Sequence, residues 1–181
     1  MFYEEGFAIV GIGCRFPGGI NSLDSLWDVL AKGEDVVTEV PAERFDIKRY
    51  WHPDRSAPGR TCTVSAGIAG DVTQFDAAFF GMSQKEAEAL DPQQRMVLEM
   101  TWEAFEDAGI KPSSMAGTKT AVYMGAASTD MGIAHSDDLC ATGPYGMTGT
   151  SLSIIANRVS YFFDLHGPSM TIDTACSSSL V

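Results

Sequence analysis

The chain of 181 residues is 45% hydrophobic and 20% charged, the balance of a folded globular domain and not of a disordered segment. Its formal net charge of −12 argues against phosphate backbones and anionic membranes as partners, so neither nucleic acid nor membrane is expected. No apolar run reaches the length of a membrane span, and the acidic start Met1-Phe2-Tyr3-Glu4-Glu5-Gly6 is unlike a basic secretory leader, so a cytoplasmic location is expected.

Phe7-Ala8-Ile9-Val10 reads as a short buried strand that stops at Gly11-Ile12-Gly13, a tight turn. Gly11 and Gly13 invite comparison with a dinucleotide loop. The third glycine is misplaced, Pro17 interrupts, and no helix opens after Gly13, so that reading fails. A helix is predicted over 22–32, with Ser22 as its cap, Gly33 as its stop, and Leu23, Leu26, Trp27 and Leu30 on one face. A long irregular stretch follows over 34–60, punctuated by Pro41, Pro53 and Pro58. His52 and Asp54 lie within it and have no further ligand type nearby, which points to a hydrogen-bonded loop histidine and not a metal site.

Residues 62–68 read as a strand, and Ser83-Gln84-Lys85-Glu86 has capping-box spacing. The strongest helical pattern begins at Asp91-Pro92-Gln93-Gln94 and ends at Gly109. Asp91 is its cap, Pro92 its first residue, and Gln94 the side chain expected to reach back. Val97, Thr101, Ala104, Phe105 and Ala108 share one face, flanked by Leu98 and Trp102. A strand over 120–125 closes on Gly125, a loop is expected over 126–131, and 136–149 reads as irregular. Leu152, Ile155, Ala156, Val159 and Phe163 recur at helical spacing over 151–163. Strands separated by helices in this way imply α/β layers around a mainly parallel sheet.

The chemistry concentrates in Ser169-Met170-Thr171-Ile172-Asp173-Thr174-Ala175-Cys176-Ser177-Ser178-Ser179-Leu180-Val181. Met170 and Ile172 alternate with polar residues after Gly167-Pro168, a short strand with a defined start. If a helix begins at Cys176, the thiol sits on a sharp turn at the positive end of the helix dipole. There it ionises more readily, and free N–H groups at the helix start can hold an oxyanion. Cys176 is therefore the candidate nucleophile. By residue type alone, a cysteine between Ala and Ser also reads as a small buried hydrophobe. Cys14, Cys62, Cys140 and Cys176 are far apart and without a Cys-x-x-Cys pair, so neither a disulfide framework nor a bound metal is expected. His166 lies the length of the strand away from Cys176 and is not assigned as its base.

Asp173-Thr174-Ala175-Cys176-Ser177-Ser178-Ser179-Leu180-Val181 resembles the active-site signature of β-ketoacyl synthase (ketosynthase) domains of polyketide synthases and multidomain fatty acid synthases. Ile9-Val10-Gly11-Ile12-Gly13-Cys14-Arg15-Phe16-Pro17-Gly18-Gly19 resembles the opening of such a domain, with Cys14 structural. Leu90-Asp91-Pro92-Gln93-Gln94-Arg95, continued by Trp102-Glu103-Ala104-Phe105-Glu106-Asp107-Ala108-Gly109, is similar to a third family signature, with Asp91 and Arg95 structural.

The resemblance implies a thiolase-like α/β fold of two related halves. Residues 7–181 would be the N-terminal part of the domain after a lead-in over 1–6, truncated just past the active-site cysteine. It implies decarboxylative condensation of an acyl group on Cys176 with a malonyl-type extender. The partner is an acyl carrier protein bearing phosphopantetheine, no cofactor is bound directly, and the intact protein is a homodimer. Two catalytic histidines and a lysine are expected further along, since His52, His135 and His166 match neither histidine motif. The loops at 126–131 and 145–147 are placed near the acyl pocket, with Tyr145 and Met147 as substrate-binding candidates. The isolated fragment is expected to fold poorly and to be inactive. A fatty acid synthase condensing domain and an inert half-domain are the alternatives.

Overall fold

The computed structural model describes residues 6–128, 130–136 and 143–181. They divide into two compact units, Cys14–Asp71 and Met1–Gly13 with Val72–Val181.

In the smaller unit, α1 (Leu23–Lys32) begins in a reciprocal capping box: Ser22 Oγ accepts from Ser25 N–H at 3.2 Å, and Ser25 Oγ accepts from Ser22 N–H at 3.1 Å. It ends at Gly33, whose N–H donates to the Leu30 carbonyl at 3.2 Å while Glu34 N–H reaches the Val29 carbonyl at 3.1 Å. The helix and both ends are as predicted. Its apolar face, however, buries nothing, with Trp27 69% exposed and Leu30 65% exposed. The 34–60 stretch is less irregular than expected, for it contains β1 (Val37–Glu39) and the single turn α2 (Ile47–Tyr50), whose cap Asp46 accepts from Arg49 N–H at 3.1 Å. The strand predicted over 62–68 shortens to β2 (Ser65–Gly67), antiparallel to β1. Three residues a side, five of the six exposed, give a ladder too small and too open to cover an amphipathic helix.

The larger unit holds the core. Helix α3 (Gln84–Ala89) is capped by Ser83 Oγ, which accepts from Glu86 N–H at 3.1 Å. Only half of the expected box forms, because the Glu86 carboxylate turns instead to Arg158, 2.9 Å away. Helix α4 (Pro92–Asp107) starts under Asp91, whose Oδ1 accepts from Gln93 N–H at 2.8 Å, and stops before left-handed Gly109. Gln93, not Gln94, reaches back to Asp91, at 3.3 Å. Gln94 and Leu98 are the buried residues of α4, and Val97, Trp102 and Phe105 of the predicted face pack against the same core, so the inward face is the predicted one extended to Gln94. A glutamine is invisible to an apolar-periodicity argument, which is why Gln94 is absent from the predicted face.

Strands β3 (Val122–Gly125) and β4 (Ser169–Ile172) pair in parallel, Val122 opposite Ser169 and Gly125 opposite Ile172. Between them run α5 (Asp130–Ser136), α6 (Gly146–Thr150) and α7 (Leu152–Phe162). Two loop expectations are thereby corrected, since Met131 lies in α5 and Met147 in α6. Residues 137–142 of the stretch expected to be irregular lie outside the described residues, as does Cys140. Helix α7 lies across one face of the strand pair, where Ala156 N–H donates to Thr171 Oγ1 at 3.3 Å and Ser160 Oγ donates to Ser169 Oγ at 2.8 Å. Helix α4 packs on α7, and Leu98, Ala156, Val159, Phe163, Val122, Phe80 and Leu165 close into one core. Edge-to-face rings of Phe79 on Trp102 and Phe105 on Phe163 extend it. The α/β layering and the parallel pair match the sequence expectation.

The predicted buried strand at 7–10 is a further correction. It joins no ladder among the described residues, and Phe7 is fully exposed and Ile9 83% exposed. Gly11 and Gly13 make no turn; they lie against the backbone of α4. A Cβ on Gly11 would meet the Ala104 carbonyl oxygen at 2.2 Å, and one on Gly13 the Met100 oxygen at 2.3 Å. Ile12 N–H fixes the segment by donating to Asp107 Oδ2 at 2.9 Å. The spacing of the two glycines serves close approach to a helix.

Candidate active site

The polypeptide leaves β4 at Ile172 and folds at once into a tight turn. Asp173 Oδ1 accepts from Ala175 N–H at 2.9 Å, an Asx turn. Ala175 takes φ 56, a left-handed value that costs about 1 kcal/mol or more for a residue with a side chain. The left-handed residue of the turn is thus the one before Cys176. Ser178 holds the turn closed: its Oγ accepts from Thr174 N–H at 2.9 Å and donates to the Ala175 carbonyl at 2.6 Å. Ser178 is buried, whereas Cys176, the residue at the apex, is exposed and carries a free thiol. Exposure removes the small-buried-hydrophobe reading of Cys176.

The five residues after Cys176 hold a 3₁₀ turn, Ser178–Leu180, where the sequence predicts the start of a helix. Two serine hydroxyls bond the carbonyls of the turn: Ser177 Oγ donates to the Thr174 oxygen at 2.8 Å, as Ser178 Oγ does to that of Ala175. Two of the N–H groups considered for an oxyanion, those of Ser177 and Ser178, are spent on the Thr174 and Ala175 carbonyls at 3.4 and 3.1 Å.

Strand β3 supplies the floor. Gly125 lies against the turn so closely that a Cβ there would be 2.8 Å from Ser178 C and from Ser179 N. Ala126 N–H then donates to the Ile172 carbonyl at 3.2 Å, so both strands end together beneath the cysteine. Sequence reasoning missed Gly125 and Ser178 as site-building residues. Gly125 read only as the end of a strand.

The other candidates are placed as follows. Tyr145 is half-buried at the start of α6, and Met147 is 77% exposed on it; α6 packs against α3, α5 and α7. His166 pairs with Asp164 at 3.0 Å before β4 begins, separated from Cys176 by roughly 10 Å of strand. His52 Nδ1 accepts from Asp54 N–H at 3.1 Å in the smaller unit, a local loop contact as expected. His135 falls in α5. Among the described residues no group of His, Cys, Asp and Glu has the makings of a metal site, and no helix is long and apolar enough to cross a membrane. Arg95 donates to the Val72 carbonyl at 3.2 Å and Asp91 caps α4, both structural contacts.

Comparison with known proteins bears on the family of the chain. The family described as "Beta-ketoacyl synthase, N-terminal domain" matches residues 4–181. The chain is 47% identical over 173 residues to a mycocerosic acid synthase-like polyketide synthase of Mycobacterium tuberculosis, a match covering 96% of this chain and 8% of that protein. It is also 47% identical to the polyketide synthase component of lovastatin nonaketide synthase of Aspergillus terreus, covering 100% of this chain and 6% of the relative. Among solved structures it resembles the oxazolomycin ketosynthase domain of Streptomyces albus, with a TM-score of 0.86 and 41% identity over 95% of this chain and 29% of that one. The ketosynthase from module 6 of the bacillaene synthase of Bacillus subtilis matches with a TM-score of 0.77 and 36% identity over 96% of this chain and 27% of that one. The chain thus spans under a third of these structures and a far smaller share of the curated relatives. The fold is that of thiolase-like ketosynthase domains, and the chain belongs to the β-ketoacyl synthase family, matching its N-terminal domain.

Proposed function

We propose that residues 7–181, after a lead-in over 1–6, form the N-terminal part of a ketosynthase domain that carries out decarboxylative condensation in polyketide biosynthesis. One observation carries this reading: an exposed free thiol, Cys176, at the apex of a strained turn that Ser178 closes and Gly125 supports, within the stretch the family matches. In the proposed reaction the Cys176 thiolate attacks the carbonyl carbon of an acyl thioester carried by an acyl carrier protein. The C–S bond to phosphopantetheine breaks, the pantetheine thiol leaves with a proton, and the acyl group rests on Cys176. A malonyl-type extender then loses CO₂, and the enolate so formed attacks the Cys176 thioester carbonyl and expels the thiolate. The product is a β-ketoacyl thioester longer by the two carbons the extender retains. Holding both acyl groups in one pocket supplies the entropic advantage.

The chain's part in this is to present the thiol and to supply pocket walls from the 126–128 loop and from α6, with Tyr145 and Met147 as contacts. Phosphopantetheine arrives on the carrier protein and no cofactor is held by the chain itself. The histidines that assist decarboxylation are contributed by sequence beyond residue 181, and the intact enzyme is a cytoplasmic homodimer. The 181 residues alone are inactive. The relatives named above are polyketide synthases, which favours that pathway over a fatty acid synthase.

The test is acylation of the full ketosynthase-bearing polypeptide by an acyl-pantetheine thioester, read by intact mass. The expected result is one acyl adduct on the wild type and none on Cys176→Ala. No adduct on a folded wild-type protein would remove the condensing-enzyme reading in favour of an inert domain.

A further inference from the structure

We propose that Gln93 and Gln94 are a pair of positioning residues that set the acyl pocket by holding its two walls, the 126–128 loop and α6. The inference rests on the ketosynthase reading above. Successive residues of a helix point about 100° apart, so two adjacent amides at the start of α4 can grip two different segments. Gln93 Nε2 donates to the Ser128 carbonyl at 3.0 Å. That carbonyl lies three residues past Gly125, where a Cβ would come within 2.8 Å of the Ser178 backbone of the Cys176 turn. Gln94 reaches the other way. Its Nε2 donates to the carbonyls of Thr148 and Gly149 in α6, each at 2.9 Å, and its Oε1 accepts from Arg158 Nε at 2.7 Å.

Gln94 is 1% exposed, with its amide nitrogen donating to two α6 carbonyls and its oxygen accepting from the Arg158 guanidinium. The guanidinium fixes which end is oxygen, and so fixes that the two N–H groups face α6. Arg158 is itself held by Glu86 of α3 at 2.9 Å. Asp91 N–H adds a third bond to α6 through the Gly149 carbonyl at 2.8 Å. Gly149 leaves no slack at this junction, since a Cβ there would meet the Ala89 carbonyl oxygen at 2.0 Å. Helix α6 is thus pinned at its C-terminal end, while Met147, one turn earlier, is left free of the core. Helix α5, which follows the loop, touches α6 where Gly132 faces Thr150, so the two walls meet. A bracket of this kind acts on which acyl chains the thiol accepts. Neither glutamine bonds to the Cys176 turn itself.

The test compares rates of Cys176 acylation by acetyl- and octanoyl-pantetheine in the full ketosynthase-bearing polypeptide, beside alkylation of the same thiol by iodoacetamide. The variants are Gln93→Met, which keeps volume and loses the donor to Ser128, and Gln94→Glu, which loses both donors to α6. The expected result is a shift of roughly fivefold or more in the octanoyl-to-acetyl ratio, the size of one lost hydrogen bond, with the iodoacetamide rate held. If Gln94→Glu does not fold, Gln93→Met, at a half-buried position, decides alone. An unchanged ratio in folded Gln93→Met would overturn the proposal, as would a parallel fall in all three rates, the sign of a merely structural role. Absence of any acyl adduct on the wild type is a different failure, that of the condensing reading beneath it.

Discussion

The two units answer the same sequence signal in opposite ways. Helix α1 of the smaller unit has a well-formed capping box, a left-handed glycine stop and a clean apolar face, yet none of its residues is buried. Helix α4 of the larger unit carries a blurred stripe with a glutamine on its inward side, yet it anchors the core through Leu98, which is 0% exposed. Local signals therefore place a helix and its ends without saying what the helix covers. Burial depends on whether another layer of sufficient area lies alongside. In the larger unit α7 and the parallel strands provide that layer; in the smaller one the β1–β2 ladder does not.

The largest expected effect tests this contrast. In the intact polypeptide Leu98→Ala should cost about 2–5 kcal/mol of stability, since it opens a cavity in a close-packed core. Leu30→Ala, at a position 65% exposed, should cost within about 0.5 kcal/mol. Denaturant unfolding of the two variants measures the difference, and equal losses would show that the face of α1 is covered in the intact protein.

A smaller effect on stability and a sharper one on chemistry is expected at Gly125. Gly125→Ala forces a Cβ to within 2.8 Å of the Ser178 backbone, so the Cys176 turn must shift. Overpacking of this kind costs about 1–3 kcal/mol. Acylation of Cys176 should slow more than the unfolding free energy falls. Unchanged acylation would show that β3 does not hold the turn.

The smallest effect lies in the smaller unit, where an Asx turn like that of Asp173 is built around Asp54. The Ser56 N–H and Oγ–H both donate to Asp54 Oδ1, at 2.9 and 2.8 Å, and hold this exposed carboxyl below its ordinary range, the backbone bond first and the hydroxyl second. A carboxyl whose pKa is lowered on folding stabilises the fold above its unfolded value, about 3.9, and that contribution is lost as pH falls through the lower folded value. An NMR titration of Asp54 should show the depressed midpoint in the wild type and its partial return toward the ordinary value in Ser56→Ala.

Much of the molecule was legible before any coordinates. The caps at Ser22, Ser83 and Asp91, the stop at Gly33, the helix carrying Ile155, Ala156 and Val159, and the strands closing on Gly125 and preceding Cys176 all depend on contacts within a few residues. Such contacts are written in adjacent letters. The run around Cys176 also named the family, because a long stretch of specified residues is itself a local signal. What tertiary structure alone decided is what brings distant residues together. Gly11 and Gly13 lie flat on α4 and make no turn; Gly125 is shaped by a serine backbone more than fifty positions away. Gln94 is buried because α6 and Arg158 offer it partners, a fact that no periodicity of apolar residues can carry. Close approach and polar satisfaction are properties of pairs remote in sequence, and a single chain of letters records each member without recording the meeting.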